Sequence, residues 1–303
     1  MKITNKLKLP QPFVSAVESE YVPTPQQYSV TTILNPCRYV ILSRRHNSEV
    51  EQDVADMIWL LFGTAFHSIL ENSQAEEKQL QEQYLKQDLG EFDKELEGFK
   101  LSGKADLLDT KTNTMVDYKT TSVYKVLFGD YEDWRKQLLM YAWLFKQQGY
   151  EVNKGQIVAL MKDHSKSKAK FDRTYPQYPV KVIDFEFNDQ DFVDIEKEIL
   201  DKFRQLKECE TLKDNELPMC TMEERWNDGN KYAVKKKGNK RAERVFDTKE
   251  QAEKYMKDKE GYEIEERLGE DRRCLEYCSS CVFCPYWKER YGKKWLKLPI
   301  DII

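Results

Sequence analysis

The stretch Ser102-Gly-Lys-Ala-Asp-Leu-Leu-Asp-Thr-Lys-Thr-Asn-Thr-Met-Val-Asp-Tyr-Lys-Thr-Thr121 decides the fold that we predict for this chain. Its two halves are extended and flank the polar turn Asp109–Asn113, which is typical of an antiparallel β-hairpin. Side chains two residues apart in a strand share a face, so Asp117 and Lys119 project together. The hairpin brings Asp106 across from them, and two carboxylates and one ammonium are therefore predicted to converge.

Two carboxylates beside an ammonium suit the hydrolysis of a phosphodiester. Carboxylate oxygens bind Mg²⁺ or Mn²⁺ and leave positions on the ion for water and phosphate oxygens, and the bound metal lowers the pKa of that water. Lys119 would orient the water or offset charge in the transition state. An Asp-x-Lys pattern alone is common on surface hairpins, where the two side chains merely pair, so further residues must support the interpretation.

Two predicted helices place further polar residues on either side of the hairpin. Upstream, Gly63-Thr-Ala-Phe-His67 puts an imidazole on a helix, and downstream, Gln137-Leu-Leu-Met-Tyr141 puts an amide and a phenol one turn apart. Each of these residues alone would be read as an ordinary core, capping or surface residue of a helix. Their order and spacing around the hairpin are what indicate a site.

Taken together, Gly-x-x-x-His, Gly-x-x-Asp, Asp-x-Lys-Thr and Gln-x-x-x-Tyr resemble the motifs of the RecB-like branch of the PD-(D/E)XK nucleases, which includes CRISPR-associated and phage exonucleases. The resemblance covers about residues 28–205, with all four motifs in the family's order. It implies an α/β, restriction-endonuclease-like fold, in which helices flank a mixed sheet.

The resemblance also implies a role for each motif residue. The implied roles are binding of Mg²⁺ or Mn²⁺ by His67, Asp106 and Asp117, catalysis by Lys119, and positioning of the DNA strand or of that lysine by Gln137 and Tyr141. Glu71, one turn after the histidine, has no counterpart in these motifs, and we interpret it as a helix-surface or supporting residue.

The periodicity of apolar residues predicts a mixed α/β core in a chain that is 40% hydrophobic. Helices are predicted over 28–45, 50–72, 131–148 and 189–213, and strands over 82–89, 97–109, 114–119, 156–162 and 180–187. We expect three parts: an N-terminal arm without regular structure (1–27), a nuclease core (28–213) and a cysteine-rich C-terminal subdomain (214–303), which contains a basic strand–strand–helix–strand insertion (226–267).

Positive charge is concentrated in that insertion, although the net charge of the chain is −4. The slightly negative total argues mildly against indiscriminate binding of polyanions, but nucleases gather acidic residues at the metal site and place basic residues elsewhere. A solvated face is the alternative interpretation of such a run. The residues predicted to contact DNA are Lys235, Lys236, Lys237, Lys240 and Arg241.

Four of the seven cysteines lie within eleven residues, which indicates a metal site rather than disulfides in a cytoplasmic protein. Tetrathiolate sites hold either Zn²⁺ or an iron–sulfur cluster, and spacing does not distinguish them. The resemblance implies an iron–sulfur cluster, of the 4Fe–4S type, with a structural role. The predicted ligands are Cys220, Cys274, Cys278 and Cys284, with Cys37 or Cys281 as the substitute.

We therefore predict a metal-dependent deoxyribonuclease, an exonuclease on single-stranded or end-containing DNA in recombination, repair or phage DNA metabolism. By resemblance, its partner would be a recombinase, a helicase or a single-strand-binding protein. We find no apolar run near the roughly 20 residues of a membrane span and no signal peptide, so we expect no membrane association and a bacterial or phage-infected host cytoplasm. The alternatives are a non-catalytic DNA-binding or scaffold protein that retains the fold, and a zinc-stabilised regulatory protein.

Overall fold

The computed structural model describes residues 1–18, 22–257 and 259–292 of the chain. It divides into two compact units, Met1–Leu212 and Lys213–Ile303. The end of the predicted C-terminal subdomain, 293–303, lies outside the described residues.

The first unit is a mixed α/β unit with eight strands and eight α-helices among its described residues. The strands are β1 (Lys2–Thr4), β2 (Gln27–Ser29), β3 (Glu51–Asp53), β4 (Gln79–Asp88), β5 (Lys100–Asp109), β6 (Thr114–Thr121), β7 (Lys154–Met161) and β8 (Val180–Glu186). The helices are α1 (Gln11–Val17), α2 (Val30–Ile33), α3 (Cys37–Arg45), α4 (Ile58–Glu71), α5 (Val123–Phe128), α6 (Glu132–Gln147), α7 (Lys166–Phe171) and α8 (Asp189–Thr211). The predicted fold class, a mixed sheet flanked by helices, is confirmed.

The central sheet has six strands in the order β2-β5-β6-β7-β8, with β4 paired to β5. The predicted hairpin is present, since β5 and β6 are antiparallel. Strand β7 returns parallel to β6 after α5 and α6, as a parallel pair requires a crossover connection. Strand β8 pairs antiparallel with β7 at the end of the sheet.

Strands β5 and β6 pair over only three residues each, from Leu107↔Val116 to Asp109↔Thr114. At the other end of β5, β2 pairs with 100–102 instead. The two hairpin strands therefore separate just beyond Leu107, next to Asp106 and Asp117. This separation leaves room for polar side chains in the interior of the sheet.

Helices α6 and α8 supply much of the core of the first unit. Helix α8 begins with a capping box between Asn188 and Asp191 and buries one helical stripe that includes Phe203. Helix α6 is buried on most sides, and the Trp143 indole on it donates a hydrogen bond of 3.0 Å to Glu196 on α8. The site residues carried by α6 are thus held on a rigid element.

The N-terminal part of the chain differs from the prediction in three places. The predicted irregular arm contains β1 and α1, because β1 pairs with β3 about fifty residues later, a long-range partner that a local pattern does not reveal. The predicted helix over 28–45 is instead β2, α2 and α3, interrupted at Pro36, which has no N–H to donate and disfavours helical backbone at Asn35. The predicted helix over 50–72 begins later, after β3 and a 3₁₀ turn.

Among the described residues, one segment, Val54–Glu71, is long and apolar enough to cross a membrane, whereas our reading of the sequence found no such run. The similarity rests on length and composition alone. The segment comprises the 3₁₀ turn Val54–Met57 and α4. It also carries His67, so its exposed face is considered below together with the site.

The second unit contains a small sheet of β9 (Lys231–Lys236), β10 (Arg244–Phe246) and β11 (Tyr262–Arg267), with α9 (Lys249–Met256) between the last two strands. The sheet order is β10-β9-β11. Strand, strand, helix and strand thus follow one another as predicted for 226–267. A helical turn, Arg273–Tyr277, and helix α10 (Pro285–Arg290) follow.

Candidate active site

Four elements of the first unit bring the predicted nuclease residues together. Helix α4 carries His67, β5 carries Asp106, β6 carries Asp117 and Lys119, and α6 carries Gln137 and Tyr141. All six lie near the point where β5 and β6 separate. The sequence motifs are thus close in space, as well as correctly ordered along the chain.

Asp106 is held by the strand beyond the gap. One carboxylate oxygen, Oδ2, accepts a hydrogen bond of 2.7 Å from the backbone N–H of Tyr118. The other, Oδ1, lies 3.3 Å from Nδ1 of His67. The hydrogen bond to Asp106 raises the pKa of His67 above its ordinary value, although burial opposes that effect. Asp106 therefore joins α4 to the hairpin.

Asp117, Lys119 and Gln137 form a polar cluster against α6. The Lys119 ammonium lies 2.8 Å from Oδ2 of Asp117 and donates a hydrogen bond of 2.9 Å to the Gln137 amide oxygen. The amide nitrogen of Gln137 donates to Oδ1 of Asp117 at 3.3 Å. Gln137 thus fixes the positions of the carboxylate and the ammonium at once.

Asp117 is 4% exposed, and its ionised form is correspondingly disfavoured. Burial raises the pKa of Asp117 to about 6, and the charge of Asp106 adds to the rise, while Lys119 opposes it. Its Oδ2 accepts no hydrogen bond of good geometry from the described residues. A buried carboxylate in this state favours any cation that approaches it.

Tyr141 lies behind the cluster and explains the glycine of Gly-x-x-Asp. A Cβ atom on Gly103 would lie 2.6 Å from Cε1 of Tyr141, a distance that is too short for any side chain. Burial raises the pKa of Tyr141, and the nearby carboxylates Asp117 and Asp106 raise it further, so the phenol stays protonated. The motif glycine is therefore required because a ring packs directly on β5.

Glu82 on β4 is a site residue that our reading of the sequence missed. Donor atoms of His67, Glu82 and Asp106 all lie within 4.8 Å of one another. The backbone φ of Glu82 is +51°, in the left-handed region that few residues other than glycine adopt. Such strain is often found at functional sites. Only the β4–β5 register, with Gln81 opposite Leu107, would have placed Glu82 near the site.

Lys104 supports Glu82 from the side. Its ammonium lies 2.9 Å from Glu82 and 2.8 Å from Glu71 on α4. These two carboxylates raise the pKa of Lys104 above its ordinary value. Glu71, which the motif comparison left without a role, therefore helps to hold a lysine beside the acidic cluster.

This donor set fits a hard divalent cation. Carboxylate oxygens and an imidazole are ligands of Mg²⁺ and Mn²⁺ sites. Three donors already lie within 4.8 Å of one another, and the buried Asp117 carboxylate is close enough to affect the electrostatics of His67. Glu82, His67, Asp106 and Asp117 are the residues that would hold such an ion.

A separate cluster in the second unit is built around the buried carboxylate of Asp271. That carboxylate accepts hydrogen bonds from Arg225 at 3.0 Å, Asn227 at 2.7 Å, Tyr286 at 2.7 Å and Tyr291 at 2.9 Å. Burial would raise the pKa of Asp271, but these hydrogen bonds outweigh it and lower the pKa below its ordinary value. The network ties the loop near 225 to the segment near 271.

The network also brings the predicted thiol ligands together. Arg225 donates a hydrogen bond to the carbonyl of Cys220, and its own carbonyl accepts one from the N–H of Arg273 at 3.1 Å. Burial raises the pKa of Cys274 to about 12, and neighbouring Cys278, Cys220 and Cys284 contribute. Among the described residues, which include all seven cysteines, no disulfide is formed.

The two substitute ligands lie in different surroundings. Cys281 is near Cys278 and Cys284, and burial raises its pKa to about 12. Cys37 lies in the first unit beside Cys209, whose thiol pKa rises to about 11 through burial and through Cys37. The grouping of Cys274 with Cys220, Cys278 and Cys284 matches the leading set of four predicted ligands.

The basic insertion presents only part of its predicted charge. The Lys235 ammonium is 19% exposed and lies between Glu263, at 3.5 Å, and Glu265, at 2.5 Å, on the adjacent strand. Lys236, Lys237, Lys240 and Arg241 are exposed. Lys235 therefore holds β9 against β11, and the remaining four residues are available to an anionic ligand.

With this geometry in place, the comparisons with known proteins can be stated. The model of the PD-(D/E)XK nuclease superfamily matches residues 69–288, which is more than half of the chain. The chain therefore belongs to the PD-(D/E)XK nuclease superfamily, whose members are nucleases that use divalent metal ions. The match begins two residues after His67. No curated protein matches the chain.

Two solved structures are similar at a low level. The chain is 16% identical to the protein SSO0001, with a TM-score of 0.43, over 64% of this chain and 82% of that one. It is 12% identical to a phage-related exonuclease from Haemophilus somnus 129PT, with a TM-score of 0.28, over 56% of this chain and 70% of that one.

Proposed function

We propose that this protein is a metal-dependent DNA exonuclease of the RecB-like branch, acting on single-stranded or end-containing DNA. The observation that carries the proposal is the meeting of two carboxylates, a lysine and an imidazole where β5 and β6 separate. When bound, Mg²⁺ or Mn²⁺ supplies Lewis acidity and lowers the pKa of a coordinated water. The proposed ligands are His67, Asp106, Asp117 and, from the structure, Glu82.

The residues of the chain perform the remaining tasks. Gln137 holds the Lys119 Nζ beside Asp117, so the ammonium is directed at the place where phosphate charge develops during hydrolysis. Asp106, oriented by the Tyr118 N–H, keeps its second oxygen toward His67. A pre-oriented set of this kind costs little reorganisation when the substrate arrives.

Lys119→Ala tests the proposal. The protein and the variant are incubated with end-labelled single-stranded DNA, duplex and flap substrates in Mg²⁺ or Mn²⁺. We expect metal-dependent degradation by the wild type and a loss of at least about 100-fold in the variant, in line with the loss of one electrostatic stabiliser. The order in which labelled products appear distinguishes cleavage from an end from internal cleavage, and gives the polarity.

The matched control is Lys136→Ala, on the same helix as Gln137. Lys136 forms an ion pair with Glu198 on α8 and is partly exposed, so its loss removes a lysine without touching the cluster. Equal cleavage by wild type and by Lys119→Ala would refute the catalytic assignment. If the wild type binds these substrates and cuts none of them, the alternative of a non-catalytic DNA-binding or scaffold protein replaces the proposal.

We also propose that Cys220, Cys274, Cys278 and Cys284 hold a 4Fe–4S cluster with a structural role in the second unit. The grouping of these thiols around Cys274 supports it, because four thiolates suit such a cluster. Protein purified without oxygen would be brown and contain iron and sulfide in equal amounts. A colourless protein with one zinc ion would instead support the zinc alternative, since both ions accept tetrathiolate sites.

The biological setting follows from the proposed activity. We propose recombination, repair or phage DNA metabolism in the cytoplasm of a bacterium or a phage-infected host, with a recombinase, helicase or single-strand-binding protein as partner. The exposed Lys236, Lys237, Lys240 and Arg241 support DNA binding, since phosphate contacts supply most of the sequence-independent affinity. Affinity for DNA that falls steeply with salt would be the expected signature.

A further inference from the structure

Helix α4 exposes large apolar side chains beside the acidic cluster. Trp59 is 60% exposed and Leu60 is 63% exposed. Both line an open cavity of about 610 Å³ whose wall also includes His67, Glu82 and Asp106. Exposed tryptophan costs free energy unless something covers it, and here the cover would be in contact with the proposed metal ligands.

Trp59, Gly63 and His67 are spaced by four residues and so form one stripe along α4. Trp59 lies two turns from His67, about 12 Å along the helix axis. Gly63 between them has no side chain, and a Cβ there would come to 3.4 Å from Thr120 on β6. The stripe is therefore an uninterrupted path from an exposed indole to the carboxylates.

A lysine covers the exposed indole. The Lys162 ammonium lies 4.1 Å from the centroid of the Trp59 ring. Its backbone N–H donates to the carbonyl of Thr121 at 2.9 Å, which ties it to the end of the strand that carries Asp117. An exposed lysine on an aromatic ring can exchange the ring for a phosphate, and a base can then take its place.

Directly after Lys162 a second open cavity, of about 760 Å³, begins at Asp163. Its lining includes Tyr124, which is 66% exposed, and Phe171, which is 91% exposed, together with Lys168. The Asp163 carboxylate accepts a hydrogen bond of 2.7 Å from a backbone N–H, and is thereby occupied within the fold.

Charge along this surface complements a phosphate backbone. Helix α7 and the residues after it read Lys166-Ser-Lys168-Ala-Lys170-Phe-Asp-Arg173, four cations and one acid. All four cations are exposed. Rings that alternate with lysines suit an unpaired strand, because bases stack on the rings while phosphates meet the ammonium groups. A duplex hides the base faces and would use the lysines alone.

We propose that Trp59, Tyr124 and Phe171, with Lys162 and Lys168, bind the bases and phosphates of an unpaired DNA strand and lead it to the acidic cluster. We call these five residues the aromatic–lysine surface. The inference rests on the proposed nuclease function, since it assigns the form of DNA that enters the site. It makes single-stranded DNA, or the unpaired end of a duplex, the preferred ligand.

Binding is tested apart from cleavage, in the Lys119→Ala protein with EDTA. A labelled oligonucleotide and a blunt duplex of the same length are titrated against this protein and against versions that also carry Trp59→Ala or Phe171→Ala. We expect each ring removal to weaken single-strand binding by about 10-fold and duplex binding by less than about 2-fold. Trp59→Phe, which keeps a ring, should restore most of the affinity.

The matched control is Tyr150→Ala. Tyr150 is also exposed, but it precedes β7, whereas Lys162 follows it, so the two lie about 25 Å apart along the strand. Unchanged single-strand binding in Trp59→Ala and Phe171→Ala would overturn the inference, as would equal weakening of strand and duplex, which indicates phosphate contacts alone. If the wild type cuts no DNA while ring-dependent strand binding persists, the proposed catalysis fails and the binding surface stands.

Discussion

Replacing Asp117 by Asn should stabilise the metal-free protein while abolishing cleavage. Asp117 is buried beside Asp106, and burial raises its pKa from the ordinary 3.8 to about 6. In metal-free protein the native state therefore retains the Asp117 proton between about pH 4 and pH 6, while the unfolded chain releases it. Stability falls as the pH rises through that window, and the loss is complete above it. Asn is nearly isosteric with the protonated acid and never ionises.

The size of the effect follows from the pKa. One pKa unit corresponds to about 1.4 kcal/mol, so the rise to about 6 corresponds to a destabilisation on the order of 3 kcal/mol at pH 8. For a unit of about 200 residues, this amounts to an increase in melting temperature of roughly 6–12 °C in Asp117→Asn. The two proteins should have the same stability at pH 4, where Asp117 is protonated in both states.

The assay is thermal unfolding by circular dichroism in EDTA at several values of pH, followed by the same series with Mg²⁺. Mg²⁺ should stabilise the wild type more than the variant, because the variant lacks one proposed ligand. Asp194→Asn on α8 is the control, since that carboxylate is exposed and its only printed contact is with Gln190 on the same helix. An Asp117→Asn protein that is no more stable than the wild type at pH 8 in EDTA would refute the reasoning.

Three further predictions follow from the site and its surroundings. Protons compete with the metal for His67 and Asp117, whose pKa values are both raised, so the Mg²⁺ concentration required for half-maximal cleavage should fall as the pH rises from about 6 to 8, and an unchanged requirement would contradict this. Gly103→Ala should displace the Tyr141 ring, costing about 1–3 kcal/mol in urea unfolding and lowering kcat, whereas normal stability would show that the ring can move aside. Asp271→Ala should destabilise the second unit by about 3–5 kcal/mol and reduce the iron or zinc content of the purified protein, and full metal retention would argue against a supporting role.

Much of the site could be predicted from the sequence because its residues lie in local patterns. The period of two in β6 places Asp117 and Lys119 on one side of the strand, and the structure has their charged groups 2.8 Å apart. A short polar turn dictates the hairpin that brings Asp106 near them. Helical spacing likewise predicted that Gln137 and Tyr141 share a face of α6. These relations depend on backbone geometry within a few residues.

Residues whose role depends on distant partners could not be predicted in this way. Glu82 joins the cluster through the register of β4 against β5 and through a left-handed backbone, neither of which is encoded in its neighbours. Lys235 is in a basic run, yet two glutamates on β11, some thirty residues later, hold its ammonium. A charge run indicates which residues are charged, and only packing decides which charges are paired.

The sequence by itself determined the fold class and the nuclease motifs, since periodicity and spacing are properties of the local chain. The tertiary structure decided how the motifs are joined: β5 and β6 separate beyond Leu107, the Tyr118 N–H takes the Asp106 carboxylate, and Gln137 holds Lys119. It also decided that Trp59 is exposed on the stripe of His67 instead of buried in a core. An apolar residue at helical spacing has the same pattern in both situations, and only the contacts of the folded chain distinguish them.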